Sequence, residues 1–243
     1  MNENLSIDGG AEQSENQPQT SSRRLFLRQS TALTLAGSTA AILAATGRPA
    51  RAARPENEVA EVRSSAGQRA YFASIRGHES DHVAFLVQAL GSSARPKPNF
   101  QNILQKRYVD FVTTSQALEN TGVGAYLGAA PVLQSSAYLA AAGSILTVEA
   151  RHAGYLNYMT NDQLTSNTGD DDANPSFDSP LTIAQVVANA SPFIADLNGG
   201  PPLTFSTTPS APNDIAILNF ALALEYLESE YYNMNVPKFF KGL

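Results

Sequence analysis

The sequence predicts an all-α protein: a bundle of four long helices joined by long crossover connections. Three observations lead there. Four stretches repeat their apolar residues at helical spacing. Strand patterns are weak throughout. Two of the helical stretches carry Glu-x-x-His, and residues three apart on a helix share a face. One pair, Glu149 and His152, sits in ILTVEARHAGYLNYM from Ile145 to Met159, and the other, Glu79 and His82, sits in GHESDHVAFL.

The elements follow in order. Residues 1–52 read as an export signal. SRRLFLR (Ser22 to Arg28) carries a twin arginine followed by hydrophobic and basic residues. A weakly apolar run from Ser30 to Ala45 follows, and Ala50-Arg51-Ala52 fits a small-x-small cleavage site. That run is too rich in Ala, Thr and Gly for a permanent membrane span. The expected location is periplasmic or otherwise extracytoplasmic, reached by the twin-arginine route. Residues 53–61 read as a flexible lead-in, and residues 62–243 as the bundle.

The first helix is expected from about Val62 to Leu90, with Ala70, Ile75, His82, Phe85, Leu86 and Ala89 on its inner face. Gly91 ends it. ARPKPN (Ala94 to Asn99) is extended, because proline disfavours helix for itself and its predecessor. The second helix is expected from about Ile103 to Asn120, continuing through a glycine–alanine stretch toward Pro131. Gly122, Gly124 and Gly128 offer a small face for close helix contact. The third runs from about Ser135 to Met159. Residues 160–211 hold three consecutive aspartates, Asp170 to Asp172, six prolines and Gly199-Gly200-Pro201-Pro202. They read as a long irregular connection with one short helix near Ile183 to Ala190. The last helix starts at Pro212-Asn213-Asp214, and Val236-Pro237 is expected to end it.

Composition excludes several functions. With no cysteine there are no disulfides, thiolate metal sites or cysteine nucleophiles. Beyond residue 52 the chain carries 11 basic and 18 acidic residues. No basic stripe survives, so nucleic acid is not an expected partner.

The two Glu-x-x-His helices have counterparts. The last helix carries Glu225 in an apolar run, with Leu218, Ala221 and Leu222 on its face. A buried ionised carboxylate is costly unless it is paired or binds metal. The second helix carries Glu119, the one acidic residue between Val112 and Val148. Two helices with one Glu each and two with Glu-x-x-His form the ligand set of di-iron and di-manganese bundles. The expected metal ligands are therefore Glu79, His82, Glu119, Glu149, His152 and Glu225, holding two iron or manganese ions. Carboxylates are hard ligands able to bridge two cations, and imidazoles bind terminally. Four carboxylates offset the charge of two divalent ions. Either Glu79 and Glu149 or Glu119 and Glu225 would bridge. His78 is expected outside the ligand set. Tyr232 could donate electrons or pack with its hydroxyl on a ligand carboxylate; packing roles are expected for Tyr126, Tyr155 and Tyr158.

At these residues the chain resembles the ferritin-like superfamily. HESDHVAFLVQALG, ALENTGVGAYLGAAPVL and AAGSILTVEARHAGYL resemble the bacterial ferritin-like domain family often labelled desiccation-related. The last helix resembles the first helix of bacterioferritin-type proteins, with Tyr232 seven residues after Glu225. The resemblance implies a ferritin-like four-helix bundle, metal ions as partners, and dioxygen or peroxide as what they act on. Ferroxidase, peroxidase and manganese-catalase-like activities are all open to such a site. The same resemblance allows a non-enzymatic stress- or desiccation-related bundle with weak or absent metal, and a homodimer. The family's first Glu helix stands last here, so the order reads as a circular permutation. Closing it within one chain requires the 160–211 and 91–102 connections to cross the bundle length, about 30 Å for 20 residues of helix. Otherwise the last helix completes a neighbouring molecule's bundle, or the gene model is truncated or rearranged.

Overall fold

The computed structural model describes residues 66–165 and 176–243. The expected signal, the lead-in, the first turn of the first helix and the aspartate run at 170–172 lie outside the described residues. The described residues form five helices: α1 (Ala66–Leu90), α2 (Tyr108–Ala129), α3 (Ser136–Met159), the short α4 (Ile183–Ala190) and α5 (Ala211–Phe239). A two-stranded antiparallel pair, β1 (Asn99–Phe100) with β2 (Ile194–Asp196), joins the two long connections. Among the described residues no helix is long and apolar enough to cross a membrane.

α1 packs on α5, and α2 packs on α3. Two apolar clusters lie along them. One gathers Phe72 and Ile75 of α1, Tyr108 and Phe111 of α2, Leu156 of α3, and Tyr231, Tyr232 and Val236 of α5. The other gathers Leu86 and Leu90, then Tyr126, Ile145, and Leu218 with Leu222. Read through each helix, the order of the clusters shows α1 and α2 running one way and α3 and α5 the other. Both long connections must therefore return along the bundle, as the sequence requires.

Two buried asparagines of α5 hold the first of them. The Asn219 amide oxygen accepts the Arg95 amide at 2.7 Å, and its nitrogen donates to the Ser93 carbonyl at 2.9 Å. Asn235 accepts from the Gln105 amide at 2.8 Å and donates to the Ile103 carbonyl at 2.7 Å. Sixteen helical residues separate these two points, about 24 Å. Their grip holds 103–107 in an irregular, non-helical path, so α2 begins at Tyr108 rather than near Ile103. Asp214 ties the other end: its carboxylate accepts the Gln134 and Ser135 amides at 2.8 and 2.9 Å, just ahead of α3.

Other expectations need correction. The buried face of α1 runs Phe72, Ile75, Glu79, His82, Leu86, Leu90; Ala70 and Phe85 face outward. The inward stripe passes through polar residues, so apolar periodicity alone misplaces it. Pro237 does not end α5. It removes one amide donor, but the final turn is closed by the Phe240 amide on the Val236 carbonyl at 2.8 Å. Phe239 and Phe240 also pack against the rings of Phe111, Tyr108 and Phe72.

Gly124 and Gly128 of α2 receive the long connection rather than another helix. The Leu181 amide donates to the Gly124 carbonyl at 2.8 Å. A Cβ on Gly124 would lie 2.4 Å from Leu181 Cγ, and one on Gly128 only 2.2 Å from the Leu181 carbonyl oxygen. Backbone cannot step aside as a side-chain tip can. Gly128→Ala is therefore expected to cost about 1–3 kcal/mol despite alanine's better helix propensity. Denaturant unfolding of the two proteins measures this, and an unchanged midpoint would contradict the packing.

Candidate metal centre

All six sequence-predicted residues are buried and lie between the two apolar clusters. Helical spacing places them there: on α1, Glu79 and His82 fall between Ile75 and Leu86, and on α5, Glu225 falls between Leu222 and Tyr231. Their ligand-capable atoms form two overlapping groups, each within 4.8 Å: Glu79, Glu119, Glu149 and His152, and Glu79, His82, Glu149 and Glu225. Glu79 and Glu149 belong to both. Glu225, on the helix out of its expected order, reaches the others within the same chain, with Oε2 at 3.2 Å from His82 Nδ1.

In both histidines Nδ1 is turned to the carboxylates. His82 Nδ1 lies 3.3 Å from Glu79, 3.1 Å from Glu149 and 3.2 Å from Glu225. His152 Nδ1 lies 3.0 Å from Glu79 and 3.1 Å from Glu119. One imidazole N–H can satisfy only one acceptor at a time. Acceptors therefore outnumber donors, and Glu79 Oε1 and both oxygens of Glu149 have no hydrogen-bond donor of their own. Among the described residues no lysine or arginine forms an ion pair with these carboxylates. The donor set is thus hard, buried, anionic and short of positive charge, which fits divalent metal ions.

Two tyrosines complete the frame by a reciprocal exchange. Tyr126 follows Glu119 by seven residues on α2, and Tyr232 follows Glu225 by seven on α5. Each bonds the other helix's glutamate: Tyr126 donates to Glu225 Oε1 at 2.5 Å, and Tyr232 donates to Glu119 Oε1 at 2.6 Å. The Oε2 of each carboxylate is left facing a histidine. Tyr232 thus packs with its hydroxyl on a carboxylate, one of the two expected roles. Tyr126 does more than pack. The Glu-to-Tyr spacing it shares with Glu225 and Tyr232 was the signal for it. Tyr155 packs on Tyr71, with ring centroids 4.5 Å apart. Tyr158 is 74% exposed and does not pack. His78 stands outside both groups and meets His152 Nε2 through its Nδ1 at 2.9 Å.

Glu228 is not among the six expected ligands, yet it is only 3% exposed. It sits three residues beyond Glu225, so both share a helix face.

Burial is the largest influence on the ionisation of these groups. At Glu149 and Glu228 burial and the neighbouring carboxylates push the carboxyl well above its usual range. At Glu225 burial raises it to about 7, against hydrogen bonds from His82 and Tyr126. At Glu79 burial is outweighed by hydrogen bonds from His152 and His82, and the value falls to about 2. Burial disfavours charge on His82 and His152, but the facing carboxylates overcome it and raise both to about 10. Without metal the cluster holds protons in place of cations.

An all-α bundle with a buried carboxylate–imidazole centre drawn from four helices defines a metal-compatible helical protein. Residues 48–162 match the family model described as a ferritin-like domain. Glu79, His82, Glu119, Glu149 and His152 fall inside the matched stretch; Glu225 comes from outside it. No curated protein matches the chain, and no solved structure does.

The pH response of the metal-free protein follows from these shifts. Glu225 binds its proton more tightly folded than unfolded, between the usual 4.5 and about 7. His82 and His152 do so between 6.5 and about 10. Where the folded state binds more protons, stability falls as pH rises. Metal-free protein should therefore lose thermal stability steadily from about pH 5 to pH 10. A melting temperature that rose or stayed level over that span would contradict the buried cluster.

Proposed function

We propose that the chain binds two iron or manganese ions in this centre and uses them on dioxygen or peroxide in an extracytoplasmic compartment. The observation that carries the reading is the set of buried carboxylates without donors between helices α1, α2, α3 and α5. Glu79 and Glu149, shared by both groups, would bridge. Glu119 with His152 would hold one ion, and Glu225 with His82 the other. Four carboxylates and two neutral imidazoles then balance two divalent ions.

Two redox-active ions side by side supply paired one-electron steps toward an oxygen substrate. The remaining chemistry belongs to the chain. Tyr126 and Tyr232 fix one oxygen of each terminal carboxylate and leave the other free to bind. His78 fixes the ring of His152 through Nε2, so that Nδ1 stays turned inward. The apolar clusters at either end exclude water. The twin-arginine pattern at Ser22 to Arg28 supports export after folding, which suits a chain that carries its metal across already bound. The order of helices, with Glu225 outside the matched stretch, supports the permuted reading.

Elemental analysis after native purification tests this. The expected result is two iron or manganese ions per chain in the wild type, with loss of metal in Glu149→Ala and His82→Ala. A folded wild-type chain purified without metal, and binding none on addition, would overturn the proposal in favour of a structural bundle acting without metal.

A further inference from the structure

Among the described residues Arg95 is a buried cation without a carboxylate partner. It is 2% exposed, and its Nε and Nη1 are buried without an acceptor. Its Nη2 donates to the Gly199 carbonyl at 3.3 Å. A charged donor taken from water and given so little in return is costly. Burial pulls the guanidinium below its usual range, but an arginine keeps its charge. The acidic groups of the neighbouring segments are engaged elsewhere. The Asp196 carboxylate accepts the Asn99 side-chain amide at 2.9 and 3.1 Å and the Asn198 backbone amide at 2.7 Å. Glu230 pairs with Lys97 at 2.8 Å.

The backbone holds Arg95 in place and gives it one thin cover. Its amide is fixed by Asn219 at 2.7 Å. Over it pass Asn198, Gly199 and Gly200, three successive residues with φ of 51°, 76° and 86°. Gly200 is required both by its left-handed φ and by space: a Cβ there would lie 3.1 Å from Arg95 Cβ and 3.0 Å from Pro96 Cδ. Residues 195–202 are exposed on their outer side, so a single layer of chain separates the guanidinium from water. That layer is tied down by Asn198 Nδ2, which donates to the Lys97 carbonyl at 3.1 Å, and by the long bond from Arg95 itself. A structural clamp on the Gly199 carbonyl needs one neutral donor, not a buried charge. A trapped water would give Nε an acceptor but no negative charge.

We propose that Arg95 is the base of a binding site for one small oxyanion, a free phosphate or carboxylate, admitted as Asn198–Gly200 lifts. The guanidinium fork matches the oxygens of either ion. The cover sets the size, because a small ion can pass beneath it and a macromolecule cannot. The site lies on the two long connections, apart from the carboxylate cluster, and does not depend on the metal reading. A bound oxyanion ties residue 95 to the 198–200 cover and stabilises the chain by mass action.

Calorimetric titration of the full chain as purified tests this, with sodium phosphate and sodium acetate as separate ligands and chloride holding the ionic strength constant. The wild type should bind one phosphate or one acetate, and its melting temperature should climb with the concentration of the ion that binds. Binding of phosphate alone assigns phosphate, and binding of acetate alone assigns a carboxylate; either supports the site. Arg95→Met keeps the apolar stem without the charge and should abolish binding. Arg95→Lys keeps the charge without the fork and should weaken binding about tenfold; it provides the reading if the methionine variant does not fold. A wild type that binds neither ion overturns the proposal. Binding that is unchanged in the variants also overturns it, because the ion then sits elsewhere, the carboxylate cluster and any metal there included.

Discussion

Like charges in a dry interior are the constraint on which this structure depends. Five buried carboxylates, Glu79, Glu119, Glu149, Glu225 and Glu228, converge between four helices. Each ionised carboxylate taken from water costs several kcal/mol unless compensated. Four hydroxyl and imidazole donors cannot compensate them all. The bundle tolerates the cluster because large apolar clusters above and below it hold the helices in register, and because protons or cations neutralise it. The histidines carry the protons when metal is absent, and on the two-metal reading they are its ligands. Stability and metal binding are therefore one equilibrium.

The order of the helices adds a second requirement. The two helix pairs run in opposite senses, so each long connection must travel the length of the bundle. The chain meets this with polar contacts in the core. Asn219 and Asn235 strap the first connection along α5, and Asp214 binds the turn ahead of α3. The glycines of α2 divide between two tasks. Gly124 and Gly128 admit the backbone at Leu181, whereas Gly122 opens toward Glu149 and Glu228. The small-residue face is thus half architecture and half site.

Most of the fold and the six central residues were legible in the sequence because their chemistry is unusual in its place. Carboxylates and imidazoles at helical spacing within apolar runs stand out, and one falls on each long helix. Tyr126 was harder, since its partner Glu225 is remote in sequence and only the repeated seven-residue spacing hints at the exchange with Tyr232. Glu228 was hidden by its neighbours: between Glu225 and Glu230 it reads as one of a solvated set, and only tertiary packing distinguishes them. Phe72 and Phe85 were exchanged on α1 for a related reason. The inward stripe there is partly polar, so hydrophobicity does not mark it. Helix ends at Tyr108 and Phe239 are set by Asn235 and by stacked aromatic rings, contacts that no local pattern encodes.

The central claim is that one chain assembles a two-metal centre from four helices, with Glu225 supplied by the last of them. Anomalous diffraction from crystals grown with Mn²⁺ tests it most directly. The account predicts two strong peaks about 3.5–4 Å apart, both touching Glu79 and Glu149, with Glu119 and Glu225 of the same chain on either side. A single peak, no peak at the cluster, or a Glu225 contributed by a neighbouring molecule would contradict it.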